Sequence, residues 1–364
     1  MPAALSMAMP ARRAFARAAL ARRLSTGAQP PRVLVTGSLG QLGSTMVDAL
    51  RARFGQANVV ASDIRKPAPS QRASGPFVYA DVLNRRALEQ VIVDYGIDWV
   101  VHFSAILSAA GERNPALGLD VNINGFQNVL ELARVHGLRV LSPSTIGAFG
   151  PTTPKDLTPD LTIMRPNTIY GISKVHMELL GEYYCEKYGV DFRSLRYPGI
   201  ISADSPPGGG TTDYAIDIFH AALKHNRYTC FLQHDTRLPM AYITDCVAGT
   251  MQLLEAPQDA LTQRVYNVHA CDFSPEELVA EVRRQHSADF AIEYCPDFRQ
   301  AIADTWPRTM ADAPARRDWG WNPTLGTADI VRIMLAKLHP VYEQAAAAAE
   351  SSAAAEAEAP AVVV

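Results

Sequence analysis

The stretch Arg32-Val-Leu-Val-Thr-Gly37-Ser-Leu-Gly40-Gln-Leu-Gly43 decides the fold. An apolar β-branched run leads into glycines spaced three apart, and a helical pattern follows from Leu42 to Phe54. Strand, glycine loop and helix in that order form the setting of a dinucleotide site. Gly37 suits the tight turn, Gly40 a close approach of backbone to pyrophosphate, and Gly43 close packing of helix on strand. Ser38, Leu39, Gln41 and Leu42 complete the loop at the positive end of the helix, where negative charge is favoured.

The next strand, Asn58-Val-Val-Ala-Ser-Asp63, ends in a carboxylate twenty residues after Gly43. An acid there accepts hydrogen bonds from the adenosine ribose and repels a 2′-phosphate, which favours NAD over NADP. Ile64 and Arg65 follow at the same strand end and join the candidate cofactor contacts. Arg65 and Lys66 are also cations of the kind that accommodate such a phosphate. A third strand, Phe77–Val82, places Asp81 and Val82 toward the adenine. A fourth, Trp99–Ala105, places Ser104 and Ala105 toward the middle of the cofactor. Both assignments follow from the rule that a doubly wound sheet binds ligands at the carboxyl ends of its strands.

Tyr170-Gly-Ile-Ser-Lys174 sets a phenol and an ammonium one helical turn apart, hence on one face. A neighbouring ammonium favours the phenolate, so Lys174 is expected to draw the Tyr170 pKa down from about 10. A tyrosine so poised can take a proton from an alcohol while a hydride leaves the same carbon.

With the glycine loop, the acidic second strand and Tyr170/Lys174 in order, the chain resembles the extended short-chain dehydrogenase/reductase family. Members carry a catalytic Ser or Thr near the end of the fifth strand. Arg139-Val-Leu-Ser-Pro-Ser144-Thr145-Ile-Gly-Ala-Phe-Gly150 resembles that pattern, and the hydroxyl falls on Thr145, with Ser144 as fallback. The resemblance implies Tyr170 as base, Thr145 holding the substrate hydroxyl, and Lys174 keeping the phenolate charged and meeting the nicotinamide ribose. Finer segments resemble the L-threonine 3-dehydrogenase branch: Pro143–Pro151, Arg196–Asp204, Pro207–Ala215, Asp235–Met240 and Gln300–Pro307. For that branch Ile200 is a further cofactor contact, while Ser108, Gly210, Thr211 and Trp306 join Thr145 and Tyr170 around the substrate. The resemblance also implies a homodimer and coupling to a downstream 2-amino-3-ketobutyrate coenzyme A ligase. A sugar-nucleotide epimerase or dehydratase, and a catalytically silent NAD-binding protein, remain as alternative functions.

Strand and helix patterns alternate from Arg32 to about Ile200, which predicts an α/β fold with a parallel sheet and helices on both faces. The expected architecture is a Rossmann-type doubly wound sheet over 29–200, then a smaller, discontinuous substrate lobe over 201–340. Arg264–His269 reads as a strand able to return to the main sheet. Residues 341–364 form an alanine-rich low-complexity tail, read as disordered or a frayed helix. Helices are expected over 84–95, 115–136 and 212–225, and a strand over 139–144.

Apolar residues make up 48 % of the 364 and charged residues 20 %, which fits a globular chain with a sizeable core. The net charge of −3 gives no basis for a nucleic-acid partner. No apolar run reaches membrane-spanning length. Residues 1–28 carry Arg12, Arg13, Arg17, Arg22 and Arg23 with no acid before Asp48, the composition of an organelle presequence. Import into the mitochondrial matrix, with processing near Ser25 to Gln29, is the expectation. Five cysteines are scattered without zinc spacing, so no metal is expected.

Overall fold

A computed structural model describes residues 29–205, 208 and 210–357. The presequence assigned to residues 1–28 lies outside the described residues, as do Pro206, Pro207 and Gly209 of the glycine loop and the last seven residues of the tail. Among the described residues, no helix is long and apolar enough to cross a membrane.

The chain forms two compact units. The first comprises residues up to Pro198, Ile243–His269 and Thr305–Pro323. Its sheet contains β1 (Val33–Thr36), β2 (Val59–Asp63), β3 (Phe77–Tyr79), β4 (Trp99–His102), β5 (Arg139–Leu141), β6 (Ser144–Thr145) and β7 (Asp191–Tyr197). After β8 (Gly199–Ile201), β9 (Arg227–Cys230) and β10 (Leu238–Tyr242), the chain returns to this sheet as β11 (Val265–Asn267). The order is β11-β7-β5-β4-β1-β2-β3, with β6 beside β7, and every pairing is parallel. Strand order reverses at β1 and β4, the topological switch point where ligands bind. The expected doubly wound α/β fold is therefore present.

The central strands are buried on both faces, as their β-branched runs require. Leu34, Val60, Val100 and Val140 pack with Phe126, Leu130 and Phe192 in one apolar cluster. This core fixes the strand ends from which the loops described below emerge.

Two expectations are corrected in detail. The strand expected over 139–144 is broken into β5 and β6. Pro143 has no N–H to donate to a ladder, so pairing lapses there. The helix expected over 115–136 is three pieces, Pro115–Leu119, a π turn Asp120–Gly125, and Phe126–His136. The wider turn carries Asn122, whose side chain is used at the site.

The second unit comprises Gly199–Tyr242, Ala270–Asp304 and Thr324 onward. In it β10 pairs β8 in parallel and β12 (Cys271–Phe273) antiparallel, and β13 (Ala291–Tyr294) pairs β9 in parallel. Ser274 and Glu277 form the capping box that opens the helix Pro275–Gln285. A long helix, Thr327–Ala357, takes in most of the alanine-rich tail.

Candidate active site

At the switch point, Gly37 has φ +66°, and a methyl there would lie 2.6 Å from the Ser104 nitrogen. The turn after β1 and the segment after β4 therefore touch through backbone. Ser38 N donates to the Ser62 carbonyl (3.0 Å) and Gly40 N to the Gly37 carbonyl (3.1 Å). A methyl on Gly43 would sit 2.2 Å from the Gly37 oxygen, so the helix Gln41–Phe54 rests directly on the loop. Gly40 caps that helix without a side-chain acceptor. The buried Ser38 hydroxyl has no protein partner. A bare helix N-terminus beside glycine backbone and an unpartnered buried hydroxyl suits a pyrophosphate. Gln41 and Leu42 are half-buried in the first turn of that helix.

Asp63 ends β2 with its carboxylate accepting from Leu39 N (3.0 Å), Arg65 N (3.0 Å) and Arg65 Nε (3.2 Å). Burial alone would raise its pKa, but the hydrogen bonds from Arg65 and Leu39 outweigh it and hold the carboxyl below its ordinary value. The residue thus ties the second strand to the glycine loop. Ile64 is exposed, and the Arg65 guanidinium reaches into solvent while bound to Asp63. Asp81 accepts from Leu83 N (2.9 Å). Val82 is buried, and its carbonyl accepts from Asn128 (3.0 Å). Ser104 and Ala105 line a small cavity with His102, Asn122, Ser142 and Lys174.

The chemical groups sit on the helix Ile169–Tyr188, which Thr168 caps by accepting from Gly171 N (3.1 Å). Lys174 Nζ donates to the Pro143 carbonyl (2.7 Å) and lies 5.7 Å from the centre of the Tyr170 ring. Thr145 opens a short turn, accepting from Gly147 N (3.1 Å). Burial pushes the Tyr170 phenol up to about 12, partly opposed by a hydrogen bond with Thr145. The expected lowering by Lys174 is therefore not found in the free protein. The ammonium is held by the Pro143 carbonyl and lies over the Tyr170 ring. Burial also lowers the pKa of Lys174 itself, to about 8. Ser144, the fallback hydroxyl, is committed to Glu178, which leaves Thr145 as the hydroxyl beside Tyr170.

Trp306 belongs to the same unit and is buried, with its ring 3.6 Å from where a methyl on Gly147 would lie. Ser108 begins the helix Ser108–Arg113, whose Glu112 accepts from Ile169 N (2.8 Å), the residue before Tyr170. Ile200, Gly210 and Thr211 lie in the second unit. Gly210 N donates to Asp213 (2.8 Å) and Thr211 is buried, so this end of the loop is anchored to the start of a helix.

The sequence reading missed Asn122. Its side chain accepts from Ile106 N (2.8 Å) and donates to the Ile106 carbonyl (3.0 Å) and to Ser173 Oγ (3.0 Å). It thereby joins the segment after β4 to the Tyr170 helix. The polar Asp120-Val-Asn-Ile-Asn-Gly125 run inside a helical pattern was the available signal. His102, given no role from sequence, bonds Thr36 Oγ1 through Nδ1 (2.8 Å). Burial and the nearby Lys174 charge lower its pKa to about 3, so the ring is neutral.

A family model for the NAD dependent epimerase/dehydratase family matches residues 33–268. The chain belongs to that family. It is 55 % identical over 309 residues to the mitochondrial L-threonine 3-dehydrogenase of Bos taurus, covering 85 % of this chain and 83 % of that one. Among solved structures, L-threonine dehydrogenase from Phytophthora infestans aligns with TM-score 0.82 at 53 % identity, covering 84 % of this chain and 98 % of that one. The holo form of the GalE-like L-threonine dehydrogenase from Cupriavidus necator aligns with TM-score 0.82 at 45 % identity, covering 85 % and 100 %.

For a member of the NAD dependent epimerase/dehydratase family, Asp63 supplies a specific test. Asp63→Ala removes the candidate ribose acceptor, frees the Leu39 amide and leaves the Arg65 guanidinium without its carboxylate. NAD affinity should fall and discrimination against NADP should relax, measured by titrating both cofactors. Unchanged preference would show that Asp63 serves the loop alone.

Proposed function

We propose that this protein oxidises L-threonine at its 3-hydroxyl, giving 2-amino-3-oxobutanoate and NADH. The observation that carries the reading is the Lys174 ammonium 5.7 Å from the centre of the Tyr170 ring, one turn along the same helix, with Thr145 held at the end of β6, in a chain so similar to L-threonine dehydrogenases. The residues of the Gly37–Gly43 loop with Asp63 would hold NAD, which supplies the acceptor for the hydride leaving C3. Tyr170 takes the hydroxyl proton as the carbonyl forms, and Thr145 holds that oxygen in place by hydrogen bonding. Lys174 contributes positive charge that favours the deprotonated phenol. Trp306 and Ser108, in the same unit as Tyr170, border the substrate.

The test is purified protein with NAD and L-threonine, followed by NADH absorbance. Threonine-dependent NADH is expected. Turnover of a sugar nucleotide without net NADH would favour an epimerase instead, and neither activity would leave a binding protein.

The finer parts of the reading are import into the mitochondrial matrix by residues 1–28, a homodimer, and coupling to a ligase that consumes the product. The basic, acid-free leader and the mitochondrial relatives support import. A tagged chain that stays cytosolic with Met1 retained would overturn it. Sedimentation giving a monomer would overturn the homodimer. Product release unaffected by added ligase would overturn the coupling.

A further inference from the structure

Glu178 lies one turn beyond Lys174 and two beyond Tyr170, on the same face of their helix. Its buried carboxylate accepts from Ser144 Oγ and from Arg196 through Nε (2.9 Å) and Nη2 (2.8 Å). Arg196 Nη1 donates onward to the Asp160 carbonyl (2.8 Å) and to Asn267 Oδ1 (3.0 Å). One carboxylate thus joins the catalytic helix to β6, β7 and β11. Strand β6 is only Ser144 and Thr145, paired with Arg196 and Tyr197. A two-residue strand after a proline has little ladder to hold it, so the Ser144 tie is a principal restraint on Thr145. A buried ion pair adds little stability over an apolar pair of similar volume. A carboxylate here is better explained by what it orients.

We propose that Glu178 is a positioning residue for the reaction: through Ser144 it seats Thr145 against the Tyr170 face of the helix, and its negative charge acts on the Lys174 ammonium. The groups facing Lys174 are Tyr170 and Glu178 from its own helix, the Pro143 carbonyl and neutral His102 from β4. Burial lowers the Lys174 pKa and Glu178 opposes that, so loss of the Glu178 charge should lower it further.

The kinetic arm rests on the threonine dehydrogenase reading; an NMR titration of Lys174 in nitrogen-15 lysine-labelled protein does not need turnover. Ser144→Ala removes the tie but keeps the ion pair. It should lower kcat by about tenfold or more while the KM for NAD stays within about twofold, because a small misplacement acts on the chemical step. Glu178→Gln should move the Lys174 midpoint, and with it the alkaline limb of kcat, down by about half a pH unit or more. Folded variants that keep the wild-type kcat and the wild-type Lys174 midpoint would overturn the proposal. If Glu178→Gln does not fold, kcat of Ser144→Ala decides. A wild type inactive on threonine contradicts the proposed function, and the Lys174 midpoint then decides this proposal alone.

Discussion

Tyr170→Phe should lower threonine turnover by about 10²–10⁴-fold, the usual contribution of a positioned general base, with NAD affinity nearly unchanged. The ring is kept, so the packing of the helix N-terminus and the Lys174 contact with the ring face survive. Only the phenolic oxygen, the proposed proton acceptor, is lost. Thr145→Ala should also damage the chemical step, whereas Thr145→Ser keeps the hydroxyl and should retain much of the activity. The rate of the native protein should rise with pH as the phenol ionises. In the free protein burial sets that ionisation at about 12. Oxidised nicotinamide brings positive charge, so the phenol should ionise at lower pH in the NAD complex. Ultraviolet tyrosinate absorbance with and without NAD measures this directly. Full activity in Tyr170→Phe would remove the phenol from the mechanism, and an equal pKa in both states would remove the cofactor's charge from its activation.

Gly43→Ala should raise the NAD dissociation constant about tenfold or more and destabilise the fold by about 1–3 kcal/mol, the usual range for overpacking a tight contact. The added methyl would meet backbone, at 2.2 Å from the Gly37 oxygen and 2.9 Å from the Ser38 Cα. Neither neighbour can rotate away. The helix must lift or the loop must deform, and either change moves the amides proposed to hold the pyrophosphate. Thermal melting with calorimetric titration of NAD separates the two effects. A variant with wild-type melting temperature and wild-type NAD affinity would show that the close packing at Gly43 is dispensable.

The cofactor half of the site was legible because its information is local. A glycine requirement, a strand-end acid and a helix start all lie within Val33–Asp63, and the fold adds little beyond bringing Leu39 N onto Asp63. The Tyr170/Lys174 pair was legible for the same reason, since one helical turn fixes its spacing. Asn122, Glu178 and Arg196 were not. Their partners are remote in sequence: Ser173 for Asn122, Ser144 for Glu178, Asn267 for Arg196. An isolated Glu or Arg has no local pattern that distinguishes a solvated residue from a buried one with a partner, and the polar run around Asn122 does not name the partner it meets.

By itself the sequence determined the α/β alternation, the glycine loop, the acid that ends β2 and the face shared by Tyr170 and Lys174. Periodicity and short spacing are properties of neighbouring residues, so they survive without a fold. Tertiary structure alone decided the ionisation of the pair. Spacing implied a phenol drawn down by an adjacent ammonium, yet enclosure pushes Tyr170 up to about 12 and Lys174 down to about 8. The cost of removing each charged group from water depends on every chain segment that surrounds it, and those segments meet only when the sheet closes.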